Sequence, residues 1–408
     1  MIRQGTTDKR SLRLLNTIQL NGPTLIQEDG GANQVNLRIE NVPVFFRSNT
    51  PLLPSIEAYI CAFLLPAMNW RMGLRVNTEI DRRLLANISQ VRAIARDWWG
   101  FSGGNIHAAK TYDLPRVDGC GMFFTGGVDS FFSLLRNKER VQFIVNVEGF
   151  DVQLTDRERL LEITRWLQHV ADECGYRYVI VKTNLRQHFL FQSVRWQITH
   201  VAALSSVAHT IRHLGNTMFV ASTDVPPPTW VHLAHTKLTH QRHGTSSGLD
   251  GYWSSNAVKI VNDGSEFSRL DKVRAIGNWT LVQRFLRVCW ENNAETLNCG
   301  VCEKCVRTQA QLLVAGSLDK VMTMPQGSLL QRIRELPRTD LHLFKQWQDI
   351  YDALKDQTLK SAVQSLLKRS RENAFLRRPS IAETGFKFLN RFGFTGMFLW
   401  RYLYKRPG

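Results

Sequence analysis

The spacing of apolar positions changes along this chain, and each change predicts a different structure. Residues 1–34 are polar, with a partly disordered composition. Leu37 and Ile39 then alternate with charged residues in NLRIENVPVFF, which predicts a strand. Residues 55–70 (SIEAYICAFLLPAMNW) and about 81–99 (DRRLLANISQVRAIARDWW) have helical spacing. In the second, Leu84, Ile88, Val91, Ala95 and Trp98 share one face. Gly100, Gly103 and Gly104 break that pattern. From residue 121, strands at 121–125, 142–147, 177–183 and 217–222 alternate with helices at about 129–138, 155–174 and 192–214. Such alternation predicts a parallel sheet covered on both faces, with ligands bound at the C-terminal strand ends.

Residues 223–257, rich in Pro, Gly, His and Ser, form a long loop after a strand end, where a site would lie. The end of the chain is helical again: Phe344, Trp347, Ile350, Tyr351 and Leu354 fall on one face of 341–354. The expected fold class is α/β, in three parts. A small N-terminal α/β or α+β domain (1–117) precedes a parallel-sheet domain (118–312) and a basic helical region (313–408).

Composition narrows this picture. The apolar fraction of 43% is that of a globular protein. The N-terminus lacks a signal-peptide core, and the longest apolar run, about Tyr59 to Met68, is too short for a membrane span. A soluble cytoplasmic protein without a transmembrane segment is therefore expected. Residues 366–408 hold ten Lys or Arg against two Glu, a net +8 (10 − 2) of the chain's +17. Such a balance fits nucleic acid, an acidic protein partner or a membrane surface, and equally a solvated surface. The last residues interleave aromatics with Arg and Lys, which suits packing onto the body or a partner, or a membrane-surface anchor.

Two stretches carry chemistry. In GMFFTGGVDS (121–130) an apolar strand ends in adjacent glycines and passes into a helix. Glycine backbone N–H groups, the helix dipole and the hydroxyls of Thr125 and Ser130 make an anion nest suited to phosphate. No lysine follows the glycines, so it is not a Walker A loop. In RVCWENNAETLNCGVCEKCVRT, Cys289, Cys299, Cys302 and Cys305 have C-x9-C-x2-C-x2-C spacing. That spacing suits a closed structural Zn²⁺ site, with an iron–sulfur cluster as competitor.

The turn resembles the PP-loop S-G-G-x-D-S of the ATP pyrophosphatases, with Thr125 for the first Ser. Adding the cysteine motif with its nearby Arg307, residues 118–312 resemble the 7-cyano-7-deazaguanine synthase (QueC/ExsB) family. The resemblance implies a Rossmann-like HUP domain, a structural zinc, and Mg-ATP-dependent adenylation of a 7-carboxy-7-deazaguanine. Pyrophosphate leaves, and nitrogen capture then gives an amide, a nitrile or a conjugate.

It further implies that Thr125, Gly126, Gly127, Val128 and Ser130 hold pyrophosphate and that Asp129 holds Mg²⁺ or the loop. Asn146, Val147 and Glu148 would lie near the base, and Lys272, with Arg269, would face the phosphates. Asp224 would lie near the substrate, and His243 is a substrate candidate through the histidine-rich loop rather than through the resemblance. The flanks 1–115 and 313–408 lack counterparts in the compact enzyme, and GTSSGLDGYW replaces the usual Asp-Cys-Arg segment. This resembles elaborated relatives from antiphage defence operons of the CBASS and Qat types. The expected partners are accordingly a deazapurine or a protein acceptor, an operon-encoded protein, and a second copy of the chain, with nucleic acid kept open.

His232, His235, His240 and His243 cluster in the long loop as substrate or phosphate contacts, a second metal site, or solvated residues. Two other functions remain in view. A PP-loop tRNA-thiolating enzyme would need a reactive cysteine near the nest, or an iron–sulfur cluster. The third is a non-catalytic nucleotide-binding subunit of a multi-protein complex.

Overall fold

The alternation that begins at residue 121 becomes the centre of the molecule. The computed structural model describes residues 17–27, 33–222, 243–291 and 296–376, and the chain divides into two compact units, Met1–Gln326 and Gly327–Gly408. The first unit opens with β1 (Thr17–Leu20), β2 (Thr24–Gln27), β3 (Asn33–Ile39) and β4 (Val42–Ser48). Helix α1 (Ile56–Asn69), β5 (Gly73–Asp81), α2 (Arg82–Trp99) and β6 (Ile106–Tyr112) follow. Then come β7 (Cys120–Phe123), α3 (Val128–Asn137), β8 (Phe143–Glu148), α4 (Arg157–Cys174) and β9 (Arg177–Thr183). The short α5 (Phe189–Gln192), α6 (Trp196–Thr210), β10 (Thr217–Ala221) and β11 (Lys259–Asp263) continue the alternation. Helices α7 (Arg269–Ile276), α8 (Thr280–Phe285) and α9 (Glu303–Val314) complete it.

Strands β9, β8, β7, β10 and β11 lie side by side in that order, all parallel. The order reverses between β7 and β10, as in a Rossmann-like sheet, and the crevice at such a reversal is where ligands bind. Successive strand residues enter opposite cores. Met122, Phe124, Ile144, Tyr178 and Phe219 pack with α3, α4, α7 and α8, while Phe123, Phe143, Val145, Val179 and Val181 pack with α1 and α6. The sheet is thus covered on both faces, as its strand composition requires.

The expected boundary at 117/118 falls inside this unit. NLRIENVPVFF is a hairpin rather than one strand: Glu40 and Asn41 both take positive φ (47° and 63°), the tight turn that joins β3 to β4. β4 then pairs antiparallel with β9, so β4, β3 and β2 extend the parallel sheet. Side chains tighten the join, with the Ser48 hydroxyl donating to the Ile180 carbonyl at 2.7 Å and the Ile180 N–H to Asn49 at 2.9 Å. β1, β5 and β6 form a separate parallel sheet that periodicity did not predict. The longest apolar run is α1, which starts at the Ser55 cap and is buried from Ile56 to Met68. Among the described residues no helix is long and apolar enough to cross a membrane.

The boundary expected at 312/313 would cut α9, and the Met322 N–H still donates to the Gln283 carbonyl at 2.8 Å. The second unit contains α10 (Leu329–Glu335), α11 (Phe344–Ala353) and α12 (Gln357–Leu376). Phe344, Trp347, Ile350 and Leu354 are buried as their spacing predicts, together with Val363, Leu366 and Leu367. The aromatic and basic tail lies outside the described residues.

Among the described residues, three histidines are packed into the first unit. His188 accepts the Leu190 N–H at Nδ1 (3.2 Å) and donates from Nε2 to the Ile39 carbonyl (3.1 Å), an arrangement that suits only the neutral ring. Burial pulls its pKa down to about 4. Burial, and then the adjacent His243, pulls His200 to about 4, and burial also lowers His209. In the unfolded chain these rings titrate near about 6.5 and gain protons first. Stability should therefore be level above about pH 6.5 and fall as pH drops toward about 4, with roughly two or more protons taken up on unfolding. Urea unfolding across that range checks this, and a flat profile would refute it.

Candidate functional site

The nest is built where β7 passes into α3. Gly126 has φ +73°, and a Cβ there would come within 1.9 Å of the Trp166 ring, so only glycine fits. Gly127, the N-cap of α3, has ordinary φ (−80°), and a Cβ there would meet nothing closer than 3.7 Å. The first glycine thus shapes the turn, while the second leaves room above it. Among the described residues the backbone N–H groups of Gly127, Val128, Asp129 and Ser130 have no protein acceptor. They point out of a helix start at the sheet's switch point, the arrangement that receives anions. Thr125 is exposed at the rim. Ser130 behaves otherwise than expected: its hydroxyl donates back to the Gly127 carbonyl at 3.0 Å and stiffens the turn.

Asp129 is the hub. Its Oδ2 accepts from Arg269 Nη1 at 2.7 Å, and its Oδ1 from Lys272 Nζ at 3.1 Å. Arg269 opens α7 behind the Ser268 cap, and Lys272 lies one turn on, so the two reach the same carboxylate. Lys272 is 2% exposed, and its ammonium also donates to the Ser222 carbonyl at the end of β10. Arg269 touches the Thr308 hydroxyl of α9 at 3.4 Å, and its buried Nε–H has no acceptor among the described residues. Burial alone would raise the Asp129 carboxyl. Arg269, then Lys272, with Lys304 as a further contributor, outweigh it and hold the carboxyl below its usual value. Asp129 lies in the first turn of α3, whose helix start adds partial positive charge, and α7 and α9 reach it through the side chains of Arg269, Lys272 and, by way of Arg269, Thr308.

The four cysteines come together, as their spacing requires. Cys289, Cys299, Cys302 and Cys305 present sulfurs all within 4.8 Å of one another, with Cys299 and Cys305 3.9 Å apart. Thiolates around one tetrahedral Zn²⁺ lie about 3.8 Å apart, from Zn–S bonds of about 2.3 Å. The set could hold such an ion; a cluster that binds each thiolate to a different iron needs wider spacing. The Cys305 thiol, hydrogen-bonded to Cys302, lowers the Cys302 pKa to about 6, while Cys305 itself is pushed up. The Cys302 N–H also donates to the Cys299 sulfur at 3.3 Å, a knuckle contact that favours thiolate.

Asn298 was not anticipated. Fully buried, it accepts the N–H groups of Val288 (2.7 Å) and Cys289 (3.2 Å) and donates to the carbonyls of Leu286 (2.8 Å) and Thr323 (3.1 Å). It ties the distant Cys289 to the knuckles; its position beside Cys299 was the only sequence signal. The cysteine module reaches the nest through Arg287, whose N–H donates to the Gly126 carbonyl at 2.8 Å.

The remaining expected residues are more scattered. Val147 is buried near the C-terminal end of β8. Asn146 donates to the Phe124 carbonyl at 3.5 Å, and Glu148 is held by Thr164 (3.0 Å) and Lys182 (2.8 Å). Both side chains therefore serve the sheet. His243 lies beside His200 of α6. Asp224, His232, His235 and His240 lie outside the described residues. A groove of ≈440 Å³ runs along α4, lined by Glu158, Leu161, Glu162, Arg165, Trp166 and His169. It backs onto the nest only through Trp166. No protein-family model, curated protein or solved structure matches this chain.

Gly126→Ala should lower the unfolding free energy by roughly 2–4 kcal/mol, from left-handed strain and overpacking. Gly127→Ala should lower it by roughly 1 kcal/mol or less. Equal effects in urea titrations would contradict the assignment of the two glycines. Purified protein should also be colourless and carry one zinc per chain, and Asn298→Ala should release it faster to a chelator. Brown protein containing iron and acid-labile sulfide would rule out the single-ion centre.

Proposed function

We propose that this chain binds Mg-ATP at the nest and transfers AMP to a carboxylate, releasing pyrophosphate. The observation that carries this is the run of backbone N–H groups without an acceptor among the described residues at the start of α3, at the switch point of the sheet, beside the Arg269 and Lys272 cations that meet at Asp129. A polyphosphate is a ligand that suits such donors and cations. The PP-loop resemblance supplies the reaction class, and 7-carboxy-7-deazaguanine is the acceptor it suggests.

The residues then take definite roles. N–H groups of residues 127–130 bind the phosphates, and Arg269 and Lys272 stabilise charge on the departing pyrophosphate. A carboxylate oxygen attacks the α-phosphorus as the bond to the bridging oxygen breaks, and the electron pair leaves with pyrophosphate. Ammonia then displaces AMP from the acyl carbon and gives the amide. Both Asp129 oxygens already meet cations, so its role is to fix the loop. Mg²⁺ would be carried chiefly by the nucleotide phosphates and would lend charge neutralisation there. Zinc, held by the four cysteines, would be structural.

Sulfur transfer is the weaker reading. Cys120 opens β7 and Cys174 closes α4, both at the strands' N-terminal side, and burial pushes up the Cys61 thiol. The cysteine spacing suits one ion rather than a cluster.

Incubation with Mg-ATP, 7-carboxy-7-deazaguanine and ammonia, with products resolved by mass spectrometry, tests the proposal. AMP, pyrophosphate and an amide or nitrile base are expected. Lys272→Met should slow AMP formation by about 100-fold or more, as loss of one charge-stabilising donor does. AMP without a modified base would redirect the search to a protein acceptor. Folded, zinc-loaded protein that neither binds ATP nor forms AMP would end the adenylation reading.

A further inference from the structure

One cation beside the nest has no role in that scheme. Lys304 occupies the first turn of α9, between Cys302 and Cys305. Thr308, one turn further along the same face, is the residue that Arg269 touches. Lys304 therefore lies on the side of α9 that faces the hub. Its ammonium stands 5.9 Å from the centre of the Trp290 ring, within cation–π range.

The local charges do not balance. Arg269 and Lys272 share the single carboxylate of Asp129, and Arg307 is matched by Glu303 at 2.8 Å. Among the described residues Lys304 makes no ion pair. Arg269, Lys272 and Lys304 thus carry three positive charges against two on Asp129 and the nearby Asp151, a surplus of one (3 − 2). The start of α3 adds to it.

We propose that Lys304 is a phosphate-binding residue of the nest, contacting the outer phosphates of a nucleoside triphosphate or the pyrophosphate it releases. This rests on reading the nest as a polyphosphate site. The flanking cysteines place the lysine, so the metal module contributes a ligand-binding group as well as support.

The test is calorimetry on full-length, zinc-loaded protein with inorganic pyrophosphate, tripolyphosphate and AMP as probes. Lys304→Met should weaken pyrophosphate and tripolyphosphate binding by about tenfold or more and AMP binding by less than about twofold, the size of one charge-assisted hydrogen bond. Lys304→Arg should restore most of the loss. If Lys304→Met binds pyrophosphate as the wild type does, this assignment falls and the nest reading stands. Loss of zinc together with pyrophosphate binding, without rescue by arginine, would make the lysine structural and also overturn it. Wild-type protein that binds neither pyrophosphate nor ATP would overturn both readings.

Discussion

A carboxylate held out of water between two cations organises this molecule. Asp129 belongs to the helix that follows β7, while Arg269 and Lys272 belong to one that follows β11, some 140 residues later. Desolvating such ions is expensive, and their attraction offsets it only with near-ideal geometry. The ion pairs therefore fix where α3 and α7 begin relative to each other, and with them the direction of the free N–H groups. The carboxylate is overmatched, so the same contacts that hold the loop leave it positive. Structure and anion affinity come from one arrangement.

The cysteine module acts on the same loop from another side. Trp166 stands where a Gly126 side chain would be, and the Arg287 N–H holds the Gly126 carbonyl. Asn298, with all four of its bonds inside the module, passes the position of the cysteines to that segment. A glycine turn is intrinsically the most mobile backbone a site could use. Here it is confined by an aromatic ring, a backbone bond and the buried ion pairs.

What could be read in advance was local. TGGVDS announces its turn through adjacent glycines and a helix start, and the cysteines announce theirs by spacing. The sheet strands and helices between 121 and 222 followed from apolar period, because each is long enough to show one. Arg269 and Lys272 were legible as a pair one turn apart, though not their shared partner, since nothing in sequence reports a contact across 140 residues. The same limit hid the pairing of β4 with β9, and so made residues 1–117 look like a separate domain. β5 and β6 were missed because charged residues interrupt them on the exposed face. The Ser130 hydroxyl shows a further limit: composition supplies a donor, but only geometry says where it is spent.

The β3–β4 hairpin sets a timetable for biosynthesis. Its turn closes as soon as Glu40 and Asn41 leave the ribosome, yet the β4 edge, with Phe46 on it, has no partner until β9 emerges. The bond from the Ile180 N–H to Asn49 spans 131 residues. At 5–20 residues per second, that gap lasts roughly 7–26 s. For that interval an apolar strand edge is open to any neighbouring nascent chain. Synthesis of this protein thus contains a window in which the hairpin edge stands open before the rest of the sheet can cover it.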